Sequence, residues 1–252
     1  MIRTVLIFGG LSAEHEVSIL SARSVANAAS KQRLEIIPLC MARDGRFVAP
    51  ARSARILEGV EHSDRGDDAF SFETWVQAQK PDVAFPLIHG TGGEDGTLQG
   101  YLETIGLPYV GSGIAASAIG MDKASMKSMF AAAKLPIVDF VQVLERDWRN
   151  ERDRIMRAVN NSLRLPYFVK PANGGSSVGV TKVKSDDALA PAIEKAFRFD
   201  DKALVERGVD AREIEVSVLG NDSPEASLPG EIVAGASSTT TKTSTSRTRH
   251  SS

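Results

Sequence analysis

The sequence predicts an α/β protein whose first half contains a mostly parallel sheet. Short apolar segments rich in β-branched residues alternate there with segments that carry apolar residues at helical spacing. The first apolar segment, residues 4–8, is closed at once by Gly9 and Gly10, and a helical pattern follows it. A strand, a glycine turn and a helix are typical of the opening of a βα unit.

The other elements follow in order along the chain. The first helix is expected to have an apolar face formed by Val17, Leu20, Val25 and Ala28, and residues 51–72 are ambiguous. Further strands are predicted at residues 34–41, 83–88, 138–143, 167–170, 180–183, 203–206 and 213–219. Further helices are predicted at residues 72–79, 114–119, 123–134, 146–162 and 185–197.

Composition excludes several classes of protein. The 252 residues are 42% apolar and 25% charged, which is typical of a globular protein, and the net charge of −2 does not favour nucleic acid as a partner. The single cysteine, Cys40, excludes an internal disulfide framework and a multi-cysteine metal site. No apolar segment is long enough to span a bilayer, and the first residues lack the pattern of a signal peptide. We therefore expect a cytoplasmic protein without nucleic-acid or membrane partners.

Residues 234–252 differ in composition from the rest of the chain. They contain six Ser, six Thr and three basic residues, but no acidic or large apolar residue, and without them the net charge is −5. Such a segment cannot bury enough apolar surface to offset the entropy lost on ordering. We expect the folded part to end near Val233, and residues 234–252 to form a disordered Ser/Thr-rich tail.

Residues 170–179 form the segment whose residue types point most strongly to a chemical function. Lys170 ends a predicted strand, and a loop with three glycines and serines 176 and 177 follows. A fixed cation, hydroxyls and oriented backbone N–H groups could surround one polyphosphate. The spacing matches neither the Walker motif nor the Rossmann glycine motif. A flexible hairpin with small turn residues explains the same composition, so both interpretations stay open.

The loop at residues 89–100 follows a buried type of strand, where open α/β sheets place their ligand sites. It combines His89, Glu94 and Asp95 with four closely spaced glycines. The alternative is a simple turn in which Thr91 or Asp95 caps the next helix. The glycine density exceeds what a cap needs, which favours a functional role.

The first glycine turn has the same position relative to its strand and carries Glu14. A capping box formed by Ser12 with His15 or Glu16 explains this turn equally well. We interpret His15 and His62 as surface or capping residues. The spacing of the four histidines does not suggest a metal site.

Three charged residues do not indicate one function when each is considered alone. Glu206 and Glu213 lie at the end of one predicted strand and the start of the next, where a carboxylate could accept hydrogen bonds from adenine or ribose. A solvated acidic edge is the simpler explanation. Lys123 begins a predicted helix and would ordinarily be a surface lysine.

Six segments occur together in one order. They are G-G-L-S-A-E-H-E-V-S (9–18), H-G-T-G-G-E-D-G-T-L-Q-G (89–100), L-P-Y-V-G-S (107–112), M-D-K (121–123), K-P-A-N-G-G-S-S-V-G-V (170–180) and E-R-G-V-D-A-R-E-I-E-V (206–216). In these motifs the chain resembles the D-alanine–D-alanine ligases of bacterial cell-wall synthesis, which belong to the ATP-grasp superfamily. The resemblance covers residues 1 to about 233.

The resemblance implies three domains and a tail. It implies an N-terminal Rossmann-like α/β substrate domain at residues 1–117, an ATP-grasp central lid at residues 118–204 and the start of a truncated C-terminal α+β domain at residues 205–233, before the tail at residues 234–252. ATP would lie between the lid and the C-terminal domain. The family also implies D-alanine as substrate, Mg²⁺ or Mn²⁺ as cofactor and a homodimer.

The resemblance also assigns residues to ATP. They are Lys123, Lys170, Ser176, Ser177, Glu206, Arg207, Val209 and Glu213. The two lysines would contact the phosphates, the serines would lie on the glycine-rich lid loop, and the last four residues would bind adenine and ribose. Family members often have lysine at the position of Arg207, which should change little because the backbone makes the adenine contact there.

The first D-alanine would occupy a pocket beside Glu14. By resemblance Glu14 holds the substrate ammonium and tethers Ser176, and both are assigned a catalytic role, while His89 and Glu94 lie around the same pocket. A carboxyl oxygen of this D-alanine would attack the γ-phosphate of ATP, and the amine of a second D-alanine would attack the resulting acylphosphate. Positioning and charge neutralisation would supply most of the catalysis.

The sequence after Val233 departs from the family pattern. Family members continue from P-G-E-I-V into an ω-type loop and then into the arginine and carboxylate set that binds substrate and two Mg²⁺, so we expect no metal ligands in this chain. They often read E-F-Y-D-Y-E at this point, and codons for that segment read one base late encode S-S-T-T-T-K, the sequence of residues 237–242. We hypothesise a frameshift near Val233, which the nucleotide sequence from codon 225 would test.

The family resemblance therefore implies the function of a D-alanine–D-alanine ligase. Because the catalytic C-terminal part is missing, we expect this chain itself to be inactive as a ligase and poorly stable. One alternative is a non-catalytic, nucleotide-binding fragment. Another is a relative that makes D-alanyl-D-lactate or D-alanyl-D-serine, because the residue that sets this choice lies in the ω-loop. The tail could also be a basic Ser/Thr-rich interaction segment.

Overall fold

The computed structural model describes residues 1–29 and 33–233 of the chain. It divides into a first unit, Met1–Arg207, and a second unit that begins at Gly208. The three-domain division predicted from the sequence stays a prediction, and the tail with its possible frameshift lies outside the described residues. None of the described helices is both long and apolar enough to cross a bilayer.

A three-stranded parallel sheet organises the amino-terminal half, as the sequence predicts. Its order is β2 (Leu34–Met41), β1 (Ile2–Gly9), β3 (Val83–Pro86). The central strand is buried on both faces. Val5 and Ile7 pack into one apolar cluster, while Leu6 and Phe8 pack into another on the opposite side. Because successive side chains of β1 point to opposite faces of the sheet, the strand contributes to two apolar cores, one on each face.

Helices cover both faces of this sheet. They are α1 (His15–Ala28), α2 (Pro50–Glu58), α3 (Phe72–Gln79) and α4 (Thr97–Thr104). The first two contribute Ile19, Ala22 and Ile56 to the cluster of Phe8, while the last two contribute to the cluster of Val5. All but the first residue of helix α2 lies within residues 51–72, where the sequence is ambiguous. Pro at its first turn and Gly59 in the left-handed conformation after its end define its limits.

The predicted apolar face of α1 is wrong except at Val25, which packs against the cluster of Phe8. Val17 and Leu20 are exposed, whereas Ser18, Ile19 and Ala22 are buried. The polar Ser18 is tolerated there because its hydroxyl accepts from Gly9 N at 2.8 Å and donates to Leu87 O at 2.6 Å. A buried side chain that satisfies two backbone groups replaces an apolar contact, which hydrophobic periodicity does not reveal.

A four-stranded antiparallel sheet forms the second half of the first unit. Its order is β4 (Phe140–Leu144), β7 (Lys202–Arg207), β5 (Tyr167–Pro171), β6 (Thr181–Val183). Phe168 pairs with Glu206 and Lys170 with Leu204, so these four side chains share one face. The opposite face, which includes Val169 on β5, is apolar and packs against helices α7 (Glu145–Ser162) and α8 (Leu189–Ala196).

Two helices connect the halves of the first unit. Helix α5 (Ile114–Met121) and helix α6 (Lys123–Ala132) are separated only by Asp122. Ala124 of α6 packs with Phe140, Ala172 and Leu204, on the face of the second sheet that α7 and α8 leave open. The predicted limits of these elements differ from the observed ones by a few residues. The predicted helix at 185–197 begins instead with a 3₁₀ turn, Asp186–Ala188, before α8.

The second unit contains short paired strands. Strand β8 (Glu213–Glu215) pairs with β11 (Gly230–Ile232), and β9 (Val218–Leu219) pairs with β10 (Glu225–Ala226). The single strand predicted at residues 213–219 is therefore wrong. The alternating pattern continues through the segment, but its two ends pair with different partners, so the strand is interrupted between them.

We expect Ile193→Ala to lower the free energy of unfolding by about 2–5 kcal/mol, because this side chain is fully buried between α8 and the second sheet. Urea denaturation followed by circular dichroism measures this loss. The control Leu20→Ala removes a side chain that is 55% exposed and should cost less than about 0.5 kcal/mol. Equal effects of the two substitutions would contradict the packing described here.

Candidate functional site

The loop between β1 and α1 is held by its own polar side chains and by a neighbouring loop. Ser12 Oγ accepts from Glu14 N at 3.2 Å and donates to the carbonyl oxygen of His89 at 2.6 Å. Gly9 has φ of +90°, and a Cβ there would lie 2.3 Å from Met41 O. Only glycine allows this close turn, which directs the chain from the strand end toward Glu14.

The loop after β3 lies beside the first loop, as expected for strand ends at one edge of a parallel sheet. His89 Nε2 lies 2.9 Å from Ser21 Oγ, and its Nδ1 lies 3.7 Å from Glu94 Oε1. Glu94 also accepts from Gly90 N at 3.0 Å. A Cβ on Gly90 would lie 2.8 Å from Glu14 Oε2. The absence of a side chain at this position therefore lets the two loops meet at Glu14.

Asp95 has a structural part in the same loop. One carboxylate oxygen accepts from Gly92 N at 2.7 Å and the other from Thr97 N at 3.0 Å. Burial opposes ionisation of this group, but the hydrogen bonds from Gly92 and Thr97 outweigh it and lower its pKa. The predicted helix cap is wrong, because the N-cap of α4 is Gly96; Asp95 instead supports the start of the helix from the preceding position, while Glu94 faces His89.

The glycine-rich loop after β5 reaches the same carboxylate. Ser176 Oγ donates a hydrogen bond to Glu14 Oε1, across 162 positions of sequence. A Cβ on Gly175 would lie 3.2 Å from Glu14 Oε2. Three separate loops therefore converge on the Glu14 carboxylate, which is the centre of the first cluster.

A second cluster lies on the open face of the antiparallel sheet. Glu206 is only 7% exposed, and its carboxylate is paired with Lys170 on β5 and with Lys127 on α6. Lys123 Nζ lies at the start of the same helix and donates to Gly174 O at 2.6 Å and to Ala172 O at 3.3 Å. Burial, together with the charge of Lys170, lowers the pKa of Lys123. Several cations are thus gathered around one carboxylate.

The sequence of the whole chain identifies its family. The D-ala D-ala ligase N-terminus family matches residues 3–112, and the D-ala D-ala ligase C-terminus family matches residues 129–242. The chain belongs to the D-alanine–D-alanine ligase family. This is a family of ATP-dependent ligases, so ATP as a cosubstrate fits the chain. The second match continues past Val233, and the origin of residues 234–252 stays a prediction.

Individual relatives agree with this assignment. The chain is 43% identical over 235 residues to the D-alanine–D-alanine ligase of Enterococcus gallinarum, with 92% of this chain and 74% of the relative covered. It is 42% identical over 233 residues to that of Macrococcus caseolyticus, with 90% and 65% covered. The chain therefore spans about two thirds to three quarters of the length of these relatives.

Solved structures of the family have the same fold. The D-alanine–D-alanine ligase of Coxiella burnetii is similar with a TM-score of 0.75 and 33% identity, over 92% of this chain and 71% of that one. The D-Ala:D-Ser ligase VanG of Enterococcus faecalis gives a TM-score of 0.77 and 29% identity, over 92% and 70%. The predicted α/β fold class with ATP-grasp architecture is confirmed.

The structure brings together some of the predicted site residues of this ligase-family chain and separates others. Glu14, Ser176, His89 and Glu94 lie in the first cluster; Lys123, Lys170 and Glu206 lie in the second. Among the described contacts of the first unit, Ser177 and Arg207 share no side-chain hydrogen bond or ion pair with either cluster, and Arg207 is exposed and lies 3.5 Å from Asp139. Val209 and Glu213 belong to the second unit, where both are exposed.

Three interpretations made from isolated residues are wrong. His15 is completely buried rather than at the surface: its Nδ1 donates to Gly10 O at 2.6 Å, which leaves Nε2 to accept from Ser63 Oγ at 2.6 Å. Glu206 is not part of a solvated acidic edge, because lysines surround it. Lys123 is not an ordinary surface lysine, because its ammonium is bonded to two carbonyl oxygens.

Sequence reasoning missed three polar contributors. Ser12 and Ser21 support the loop of His89, and Lys127 supports Glu206. Ser12 stands inside a motif that the sequence singles out, but its bond to His89 depends on how two loops meet. Lys127 stands four residues after Lys123, on the same side of a helix, and this spacing is the one signal that could have found it.

No metal site is visible in the part of the chain that the structure describes. Among residues 1–29 and 33–233 there is no group of three or more His, Cys, Asp or Glu side chains that could hold an ion.

Asp122 fixes the start of α6 and so the position of Lys123. Its Oδ1 accepts from Ala124 N and Ser125 N, both at 3.0 Å, and its Oδ2 is paired with Lys202. Burial opposes ionisation, but the hydrogen bonds from Lys202 and the backbone outweigh it, so the pKa of Asp122 is lowered. The ionised form is therefore favoured by folding.

We expect Asp122→Asn to reduce stability by roughly 1 kcal/mol at pH 7, because asparagine keeps the helix cap but loses the charge that faces Lys202. Since the pKa is lowered in the folded state, this difference should be complete above about pH 5 and should decrease as the pH falls below about 4 towards the lowered pKa of the folded protein. Urea denaturation between pH 7 and pH 3 measures it.

The control for this experiment is Asp153→Asn, which removes an exposed carboxylate from α7. It should change stability little at any pH in this range. A stability difference for Asp122→Asn that persisted unchanged at pH 3 would show that the side chain acts through something other than its charge.

Proposed function

We propose that this chain carries the substrate and nucleotide sites of an ATP-dependent ligase that joins two D-alanines through a D-alanyl phosphate intermediate. The observation that supports it best is the convergence of three loops on Glu14. These loops come from the end of β1, from the end of β3 and from the glycine-rich segment after β5. Such a convergence is how α/β enzymes build a substrate pocket from distant segments.

In this proposal Glu14 binds the ammonium group of the first D-alanine. Ser176 already donates to Glu14 Oε1, and the other oxygen lies close to the backbone of Gly90 and Gly175, where side chains are absent. Glu14 is partly exposed, and its Oε2 has no hydrogen-bond partner among the described residues, so a small amino acid could approach this oxygen. His89 and Glu94 would border the pocket, with His89 held by Ser21 and by its contact with Glu94.

The lysine cluster would bind the phosphates of ATP. Lys123 and Lys170 are partly accessible, and one of them already has a lowered pKa caused by burial and by the other's charge. A phosphate group between them would relieve this repulsion and would neutralise charge during transfer to the D-alanine carboxylate. Ser176 and Ser177, on the glycine-rich loop, would cover the phosphates.

We assign adenine and ribose to Glu206, Arg207, Val209 and Glu213. This assignment rests on the family resemblance. In the family the divalent cation supplies further charge neutralisation at the phosphates; the described residues contain no group of three or more His, Cys, Asp or Glu side chains that could hold one. We further propose a role in peptidoglycan synthesis, a cytoplasmic location and a homodimeric state.

Replacing Glu14 should weaken the binding of D-alanine without weakening the binding of ATP. Glu14→Gln keeps an acceptor for Ser176 but removes the charge, so D-alanine affinity should fall about 10- to 100-fold while ATP affinity stays within about threefold. Calorimetric titration with each ligand measures this. Glu16→Gln is the matched control, because Glu16 is exposed and paired only with Arg43 at 2.7 Å among its described contacts. Equal losses in the two variants would contradict the role of Glu14.

It stays a prediction that the 252-residue polypeptide is inactive as a ligase. Release of phosphate that depends on both ATP and D-alanine should be undetectable for the purified chain, while titration should show ATP binding. This pair of measurements also tests the alternative of a non-catalytic nucleotide-binding fragment. Detectable D-alanine-dependent phosphate release would refute the prediction of inactivity and support ligation directly.

A ligase that uses D-serine as the second amino acid is the second candidate. It is favoured by one observation, the similarity to the D-Ala:D-Ser ligase VanG of Enterococcus faecalis, with a TM-score of 0.77. Competition between D-alanine and D-serine as acceptors, scored by the dipeptide formed, would distinguish the two activities in any form of the protein that turns over.

A further inference from the structure

Lys127 is a nearly buried cation to which the proposed function gives no role. The residue is 8% exposed, in the second turn of α6. Lysine is rarely buried unless its ammonium is paired, because taking the charge out of water is costly. Its burial therefore indicates a specific interaction with a counter-charge.

The contacts of Lys127 fix its ammonium in one place. Nζ lies 3.1 Å from Glu206 Oε1, donates to Val138 O at 3.1 Å and lies 5.2 Å from the centre of the Phe140 ring. The contact with Glu206 is an ion pair rather than a well-directed hydrogen bond, because among the described groups Oε1 has no hydrogen-bond partner of good geometry. The group that Lys127 holds is thus the Glu206 carboxylate.

Glu206 is shared between two lysines of different accessibility. Its Oε2 is paired with Lys170, whose side chain is 23% exposed, while the side chain of Lys127 is 11% exposed. Without Lys127, the whole negative charge of Glu206 would face Lys170 and would bind its ammonium more tightly. With Lys127 in place, two cations share one anion, and the more accessible cation keeps net positive charge.

We propose that Lys127 is a positioning residue for nucleotide binding. It acts through Glu206 and keeps the ammonium of Lys170 available for the phosphates of ATP, without touching the nucleotide itself. This inference rests on the proposed function, in which Lys170 contacts those phosphates. It predicts that Lys127 affects ligands that carry phosphate far more than ligands without it, because Glu206, which the proposed function also assigns to adenine and ribose, keeps Lys170 as its counter-ion when Lys127 is replaced.

Calorimetric titration with ATP and with adenosine tests the proposal. Lys127→Met should weaken ATP binding about 10- to 100-fold and change adenosine binding less than about threefold. Lys127→Arg keeps the charge and should restore ATP affinity to within about threefold of the original chain. The control Lys184→Met removes one exposed positive charge from the same half of the unit and should change neither affinity.

A double-mutant cycle with Lys170→Met identifies the route of the effect. If Lys127 acts through Lys170, adding Lys127→Met to the Lys170→Met variant should cause little further loss of ATP affinity. If Lys127→Met does not fold, as judged by circular dichroism, Lys127→Gln takes its place with the same expectations, because the amide can still donate to Val138 O.

Several outcomes would overturn the inference. They are ATP binding of the Lys127 variant equal to that of the original chain, equal losses of ATP and adenosine affinity, and additive losses in the cycle. If the original chain binds adenosine and ATP equally, or binds neither, the assignment of Lys170 to the phosphates fails first and the inference fails with it. The unsubstituted chain therefore separates failure of the proposed function from failure of the role of Lys127.

Discussion

The side-chain alternation of the antiparallel sheet is the constraint on which the second half of the structure depends. Along β7, Ala203 and Val205 point into the core beneath α7 and α8, so Leu204 and Glu206 must point the other way. A shift of one residue would exchange the two sets and would bury Glu206 among apolar side chains. The apolar core therefore determines which face carries the charged cluster.

The first cluster depends on a different principle. Strands β1 and β3 are parallel, so both end at the same edge of the sheet. Their parallel pairing alone therefore brings the two following loops together. What specifies their close contact is the absence of side chains at Gly90 and Gly175, which lets both loops and the glycine-rich segment approach one carboxylate. The space left by the missing side chains of these glycines, more than attraction between the loops, determines how closely the three segments approach Glu14.

The sequence predicts the elements better than it predicts the environment of each side chain. Strand β2 and helix α3 have the predicted limits, because turn residues bound strong apolar patterns there. The buried face of α1 could not be predicted, because Ser18 is buried through hydrogen bonds to the backbone of distant strands. Glu206 was predicted as exposed when taken alone for a related reason: its counter-ions come from another helix and another strand.

Ser176 and Ser177 both have positive φ, at 47° and 57°, in a region that residues with a branched Cβ adopt only at high cost. Ser176 must also present a hydroxyl to Glu14. These two demands act on the same residue and together narrow the amino acids that can serve there. Threonine would retain the hydroxyl and strain the backbone, while glycine and asparagine would suit the backbone and lose the hydroxyl. Variation at this position in evolution should therefore be far more restricted than the composition of a small, polar loop would suggest.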